Sequence, residues 1–130
     1  MAGVLVTGAS GFIGGHVARR LAADGHRVVA TGRDATRLAT LQPEVETIIA
    51  CDLDADALDP LLQGIDVVVH CAALSSPWGR AEDFQRANVT ATQRLIDGAR
   101  RNGVRRFIHL GSPSIYFRFR DQYDVGEDFE

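Results

Sequence analysis

At 130 residues, with a formal net charge of −3, the chain has the length of about one domain and carries no basic excess. That excludes nucleic acid and anionic membrane surfaces as main partners, since both call for a clear cationic surplus, and no apolar run approaches the ~20 residues of a membrane span. No basic-then-apolar leader opens the sequence, so no signal peptide is expected; the two cysteines, Cys51 and Cys71, each end an apolar run, read as reduced and buried, and point to the cytoplasm.

In chain order, short β-branched runs lie at 4–7, 28–31, 47–50, 67–69 and 107–110. None alternates with polar residues, which predicts strands buried on both faces of a parallel sheet. Helical spacings separate them. Ile13, Val17 and Leu21 recur every fourth residue and stop at Asp24-Gly25. Leu38 and Leu41 mark a short helix capped by Asp34 or Thr36, and Leu58, Leu61 and Leu62 a second short one before Gly64. Phe84, Ala87, Ala91, Leu95 and Ala99 predict the longest helix, ended by Asn102-Gly103. Strand alternating with helix implies right-handed βαβ units, and so an α/β fold of Rossmann type: a doubly wound parallel sheet of about five strands in the order 3-2-1-4-5. Only the tail from Phe117 breaks the rhythm.

Between the first strand and the first helix stand Gly8, Gly11 and Gly14, spaced G-x-x-G-x-x-G. The first permits a turn that a side chain would block. The second lets backbone approach a phosphate, and the third lets the helix pack closely on the strand. The helix start then offers free N–H groups and a positive dipole end to a pyrophosphate. The pattern carries weight here because it sits in a strand–turn–helix context; the alternative is a tight turn with no ligand.

The stretch Thr7-Gly8-Ala9-Ser10-Gly11-Phe12-Ile13-Gly14 resembles the nucleotide-binding signature of the extended short-chain dehydrogenase/reductase family, which includes sugar-nucleotide epimerases and dehydratases and the 3β-hydroxysteroid dehydrogenases. The resemblance runs along nearly the whole chain. Asp52-Leu53 falls where that family places an aspartate near the adenine. His70-Cys71-Ala72-Ala73 is similar to its H-x-A-A, which backs the cofactor. Asn88-Val89 is similar to the N-V of the next helix, and the run from Leu110 through Ser112 to Tyr116 to its S-S-x-x-V-Y stretch. The segments CAALSSPW and SPSIYF lean toward the 3β-hydroxysteroid dehydrogenase-like branch. The resemblance implies that Thr7, Gly8, Ser10, Gly11, Phe12, Ile13, Gly14, Asp52, Leu53, Cys71, Ala72 and Ala73 bind a dinucleotide. It also implies that Ser112 and Asn88 serve catalysis, with Ser112 orienting the reacting oxygen of a small-molecule substrate.

Several of these residues have plainer readings. Asp52 can cap the segment after it, His70 can be a satisfied polar group at a strand end, Asn88 can be a surface residue, and Ser112 a turn serine before Pro113. Trp78 can line a crevice or cover the sheet.

Counting from His26, the position where an acidic residue would select NAD falls on Gly32, with Arg33 next. A glycine leaves room for a 2′-phosphate and an arginine can fork onto it, so NADP is expected over NAD, with Asp34 read as a helix cap. The family's acid/base pair is Tyr-x-x-x-Lys. All 14 basic residues other than histidine are arginine, so this pair is not in the chain. Tyr116 matches a different family tyrosine, and Tyr123 is followed at the fourth position by Glu127. The expectation is therefore an N-terminal dinucleotide-binding domain, 1–130, of a longer oxidoreductase or epimerase, inactive alone. A non-catalytic NAD(P)-binding or redox-sensing module and a protein-contact scaffold are the alternatives. An unpaired fifth strand and an aromatic tail lead further to an expectation of self-association, with a homodimer as one form.

Overall fold

The computed structural model describes residues 1–129. Five parallel strands form one sheet: β1 (Gly3–Thr7), β2 (Arg27–Gly32), β3 (Thr47–Ala50), β4 (Val67–His70) and β5 (Arg106–His109), in the spatial order β3-β2-β1-β4-β5. The helices are α1 (Phe12–Ala23), α2 (Ala35–Ala39), α3 (Asp59–Leu62), α4 (Ala81–Phe84) and α5 (Ala91–Arg101). No helix among the described residues is long and apolar enough to cross a membrane.

β1 lies at the centre of the sheet and all five of its residues are buried. Because successive side chains point to opposite faces, Leu5, Val29 and Val68 enter one core with Leu58, Leu61, Leu62 and Leu95. Val4, Val6, Val28, Ala30 and Val69 enter the other, with Ala18, Leu38 and Leu41. The two cores explain why the central strands read as unbroken apolar runs. Burial on both faces does not extend to the edge strands. β3 and β5 are mostly exposed, with Ile48 and Phe107 alone partly buried, because the helices cover the middle of the sheet and not its margins. The helical run that the spacing predicts from Phe84 to Ala99 is also interrupted: Gln85–Thr90 is a π-helical segment joining α4 to α5.

One buried polar network ties three elements together. Thr7 and His70 stand side by side in the β1–β4 register. The Ala72 N–H donates to Thr7 Oγ1 at 3.2 Å, and the Thr7 hydroxyl shares a hydrogen bond of 2.7 Å with His70 Nδ1. On the other side of the ring, Nε2 shares one of 2.8 Å with Thr92 Oγ1 on α5, so that one ring nitrogen donates and the other accepts. The imidazole is 1% exposed. Its burial, with His109 nearby, pushes its pKa from 6.5 down to about 4. His70 is thus the satisfied strand-end group of the plainer reading.

The outer edge of β5 has no strand partner among the described residues, and Ile108 and Leu110 are 43% and 40% exposed. The tail turns on itself instead: the Tyr116 hydroxyl donates to the Glu127 carbonyl at 3.1 Å, and the Tyr116 ring meets Phe129 edge-on.

Two predictions follow from these features. A histidine held neutral in the fold and free to charge when unfolded leaves the unfolded chain binding more protons between about pH 4 and 6.5. Stability is therefore full above pH 6.5 and falls by about 3 kcal/mol as pH drops toward 4. Asp59, held low by the Asn102 amide, and Asp66, held low by the Gly3 N–H, act in a lower window, below their ordinary 3.8. Denaturant melts of wild type and His70→Gln across pH 4–7 check this; equal pH slopes in the two would contradict it. The β5 edge predicts self-association of the 130-residue chain that Ile108→Arg abolishes. Sedimentation over a concentration series reads it, and a wild-type monomer at high micromolar concentration would contradict it.

Candidate functional site

A cleft of about 590 Å³ opens at the carboxyl ends of the strands, where the sheet order turns from β1 outward in both directions. This is where open α/β sheets bind ligands. Four strand-to-helix connections wall it: Gly8, Ser10 and Gly11 after β1; Gly32 to Asp34 after β2, with Arg37 of α2; Cys51 to Asp54 after β3; and Cys71 to Leu74 after β4. Asp83, Arg86 and Ala87 close the side facing α4 and the π segment.

The floor is set by a close crossing. Gly8 adopts φ +64°, and a Cβ there would come within 2.7 Å of Ala72 N. The first turn therefore passes directly over the backbone that follows β4, a conformation and a clearance that glycine alone allows. A Cβ on Gly14 would run into the Gly8 carbonyl, so the helix also sits tight against the turn. Gly11 is the N-cap of α1, with φ −93° and ψ 178°, and lies on the cleft wall.

Of the residues singled out in the sequence, the cleft brings together Gly8, Ser10, Gly11, Arg33, Asp52, Leu53, Cys71, Ala72 and Ala73. Thr7, Phe12, Ile13 and Gly14 do not line it. Thr7 is fully buried in the histidine network, and Gly14 is packed under the turn. Phe12 and Ile13 are 81% and 52% exposed on the outer side of α1, where Phe12 stacks on His16 with ring centres 4.6 Å apart. Ser112 is also outside the cleft wall. It caps the 3-10 turn Pro113–Tyr116, accepting from Ser114 N and donating to Ser114 Oγ at 2.9 Å. Trp78 is 84% exposed and neither lines the cleft nor covers the sheet.

Asn88 turns inward. Its Oδ1 accepts from Leu74 N at 2.8 Å and its Nδ2 donates to Leu74 O at 3.0 Å. The wider π turn holds it there, and its amide clasps the loop after β4.

At the end of β2 no acidic residue stands at Gly32. A Cβ there would meet Ser10 Oγ at 2.6 Å, so the bare glycine is faced by the rotatable Ser10 hydroxyl. Asp34 is the α2 cap: Oδ1 accepts from Arg37 N at 3.0 Å and Oδ2 faces Arg37 Nε at 3.6 Å. Arg33 has no such partner among the described residues. Asp52 combines both sequence readings, lining the cleft while its Oδ1 accepts from Asp54 N at 3.0 Å in a local turn. Burial, then Asp56 and Asp52, push the Cys51 thiol up to about 11, and burial raises Cys71. Both are free thiols, protonated at neutral pH and poor nucleophiles.

Arg37, Asp54, Asp83, Arg86 and Ala87 line the cleft without having stood out in the sequence. Arg37 stands in the first turn of α2, three residues after its Asp34 cap. Arg86 and Ala87 are placed by the π segment, and its one trace in the sequence is an asparagine in mid-helix.

A family model described as the NAD dependent epimerase/dehydratase family matches residues 4–128. The Escherichia coli (strain K12) protein YbjS is 40% identical over 129 residues, an overlap that takes in 97% of this chain and 38% of that protein. A 2-alkyl-3-oxoalkanoate reductase of Stenotrophomonas maltophilia (strain K279a) is 30% identical, over 98% of this chain and 41% of its own length. Among solved structures, a UDP-glucuronic acid 4-epimerase from Bacillus cereus in complex with NAD has a TM-score of 0.83 at 30% identity, covering 98% of this chain and 45% of that one. This chain thus spans less than half the length of these relatives. With five parallel strands in the family's order and the glycine turn at the centre of the cleft, the chain belongs to the NAD-dependent epimerase/dehydratase family of extended short-chain dehydrogenase/reductases.

Proposed function

We infer that the chain is the dinucleotide-binding domain, 1–130, of an oxidoreductase or epimerase that moves hydride between a nicotinamide and a carbonyl or alcohol carbon. The observation that carries this is the crossing of the Gly8 turn over Ala72, which lets bare backbone form the floor of the cleft beside the start of α1. The shape and donor set fit a dinucleotide. Gly8, Ser10 and Gly11 would take the pyrophosphate, Arg33 and Asp52-Leu53 the adenosine, and Cys71, Ala72 and Ala73 the flat face behind it. A bound nicotinamide would supply the hydride chemistry.

The chain's own residues bind and orient. Thr7 acts through His70, holding the turn against β4. Asn88 fixes Leu74 and with it the loop that backs the cleft. Ser112 stands past the end of β5, where its hydroxyl can turn from Ser114 to a substrate oxygen. Phe12, Ile13 and Gly14 shape the turn without facing the cleft. The chain contains no lysine, so the Tyr-x-x-x-Lys pair is not among its residues; the domain alone binds cofactor without turnover, and catalysis belongs to the whole protein. The same absence favours a second reading, a non-catalytic NAD(P)-binding or redox-sensing module.

NADP is the preferred cofactor on this reading. Gly32 carries no acid, Asp34 is engaged by α2, and Arg33 is left to face a 2′-phosphate. The substrate is a small carbonyl or alcohol compound such as a sugar nucleotide or a steroid. UDP-glucose is bound with NAD in the solved MoeE5 complex, 37% identical to this chain, and a Mycobacterium tuberculosis (strain CDC 1551 / Oshkosh) 3β-hydroxysteroid dehydrogenase/isomerase is 35% identical. The free thiols suit the cytoplasm.

Arg33→Ala is expected to weaken NADPH binding about ten-fold and leave NADH unchanged, as befits a charge-assisted contact. Calorimetric titration with both cofactors checks it; equal losses would remove Arg33 from the discriminating role. Gly11→Val is expected to keep the fold with a small shift of the turn, since φ −93° suits a side chain but its Cβ meets the Gly8 carbonyl at 3.2 Å, while both cofactors lose most of their affinity. Unchanged affinity in a folded variant would contradict the phosphate assignment.

A further inference from the structure

The loop after β3 is held by more than its length requires. The Arg94 guanidinium on α5 donates to the Leu53 carbonyl and, at 2.7 Å, to the Asp56 carbonyl. Within the loop Asp52 N donates to Asp56 Oδ2 at 2.7 Å and Asp54 N to Asp52 Oδ1 at 3.0 Å. These bonds fix the backbone that carries Asp54. Onto it docks Arg86 from the π segment, Nε to Oδ2 at 3.1 Å, with the two side chains 66% and 24% exposed.

An exposed ion pair of this kind contributes little to stability, at most about 1 kcal/mol, and the loop is already ordered by Arg94. The pair draws the Arg86 guanidinium to the β3 loop. Beyond it Arg86 has no other polar partner among the described residues, and it lines the cleft together with Leu53 and Asp54. The ends of β2 and β3 are the adenosine end of such a cleft. A guanidinium plane is a good stacking surface for a nucleobase.

We propose that Arg86, held to the β3 loop by Asp54, stacks on the adenine of the bound dinucleotide and forms one wall of that slot. Arg86 is then a cofactor-binding residue supplied by the π segment, and Asp54 and Arg94 are its positioning residues. The π segment so serves both ends of the cleft, with Asn88 clasping Leu74 on one side and Arg86 reaching the β3 loop on the other. The proposal rests on the dinucleotide reading above.

The test titrates the purified chain with NADPH and with ADP, which keeps the adenine and lacks the nicotinamide. Arg86→Ala is expected to weaken both by the same factor, about ten-fold, with an unchanged circular dichroism spectrum and melting midpoint. Arg86→Lys keeps the charge without the plane and is expected to behave like Arg86→Ala. Loss for NADPH but not ADP would place Arg86 away from the adenine and overturn the proposal, as would wild-type affinity in Arg86→Lys, which would reduce its part to charge. Wild-type affinity for both ligands in Arg86→Ala would overturn it while leaving the dinucleotide reading intact. A wild-type chain that binds neither NADPH nor ADP would remove the reading and the proposal together.

Discussion

The β1–α1 turn runs so close over the backbone after β4 that a single added carbon at Gly8 would collide with Ala72. The rest of the cleft depends on that approach. It places the start of α1 over the sheet, and it requires Gly14 bare so that the helix can follow the turn down. It also needs something to hold two strands in exact lateral register without bulk. Thr7 and His70 do this with hydrogen bonds in place of packing, a neutral imidazole joining β1 to α5 and a hydroxyl taking the Ala72 N–H. A buried network of this kind is strong only when each member is satisfied, and among the described residues no buried side-chain polar atom lacks a partner.

Around that fixed floor the walls differ in character. The β2 side is cationic and partly free: Asp34 is turned to its helix, leaving Arg33 facing the cleft. The β3 side is a short acidic loop tied down by Arg94. The β4 side is small and neutral, Cys71, Ala72 and Ala73, with its far end clasped by Asn88. A long ligand with an anionic centre and flat ends finds donors at its middle and close apolar surface along its length.

Much of this was legible in the sequence because it depends on local rules. Unbroken β-branched runs gave parallel strands, and the glycine spacing located the turn. Asp34 before a helical run was readable as a cap, and Gly32-Arg33 as a site without an acid. The illegible parts are those where tertiary structure decides. Equal-looking apolar runs became buried central strands and exposed edges, a distinction that depends on strand order and not on composition. The helix from Phe84 kept its apolar spacing while its backbone widened into a π segment, and that widening sends Asn88 to Leu74 and Arg86 to Asp54. Thr7, Phe12 and Ile13 belong to the signature as a string, yet one is consumed in the histidine network and two face outward.

The central claim is that the cleft at the Gly8–Ala72 crossing is a dinucleotide site. Its most direct test is an amide nitrogen–proton NMR titration of the 130-residue chain with NADPH. The account predicts saturable shifts gathered at Gly8, Gly11, Arg33, Asp52, Asp54, Ala72 and Ala73, with Ile108 and Phe119 unmoved. Shifts that do not saturate, or that fall on the β5 edge and the tail while the cleft stays still, would contradict it.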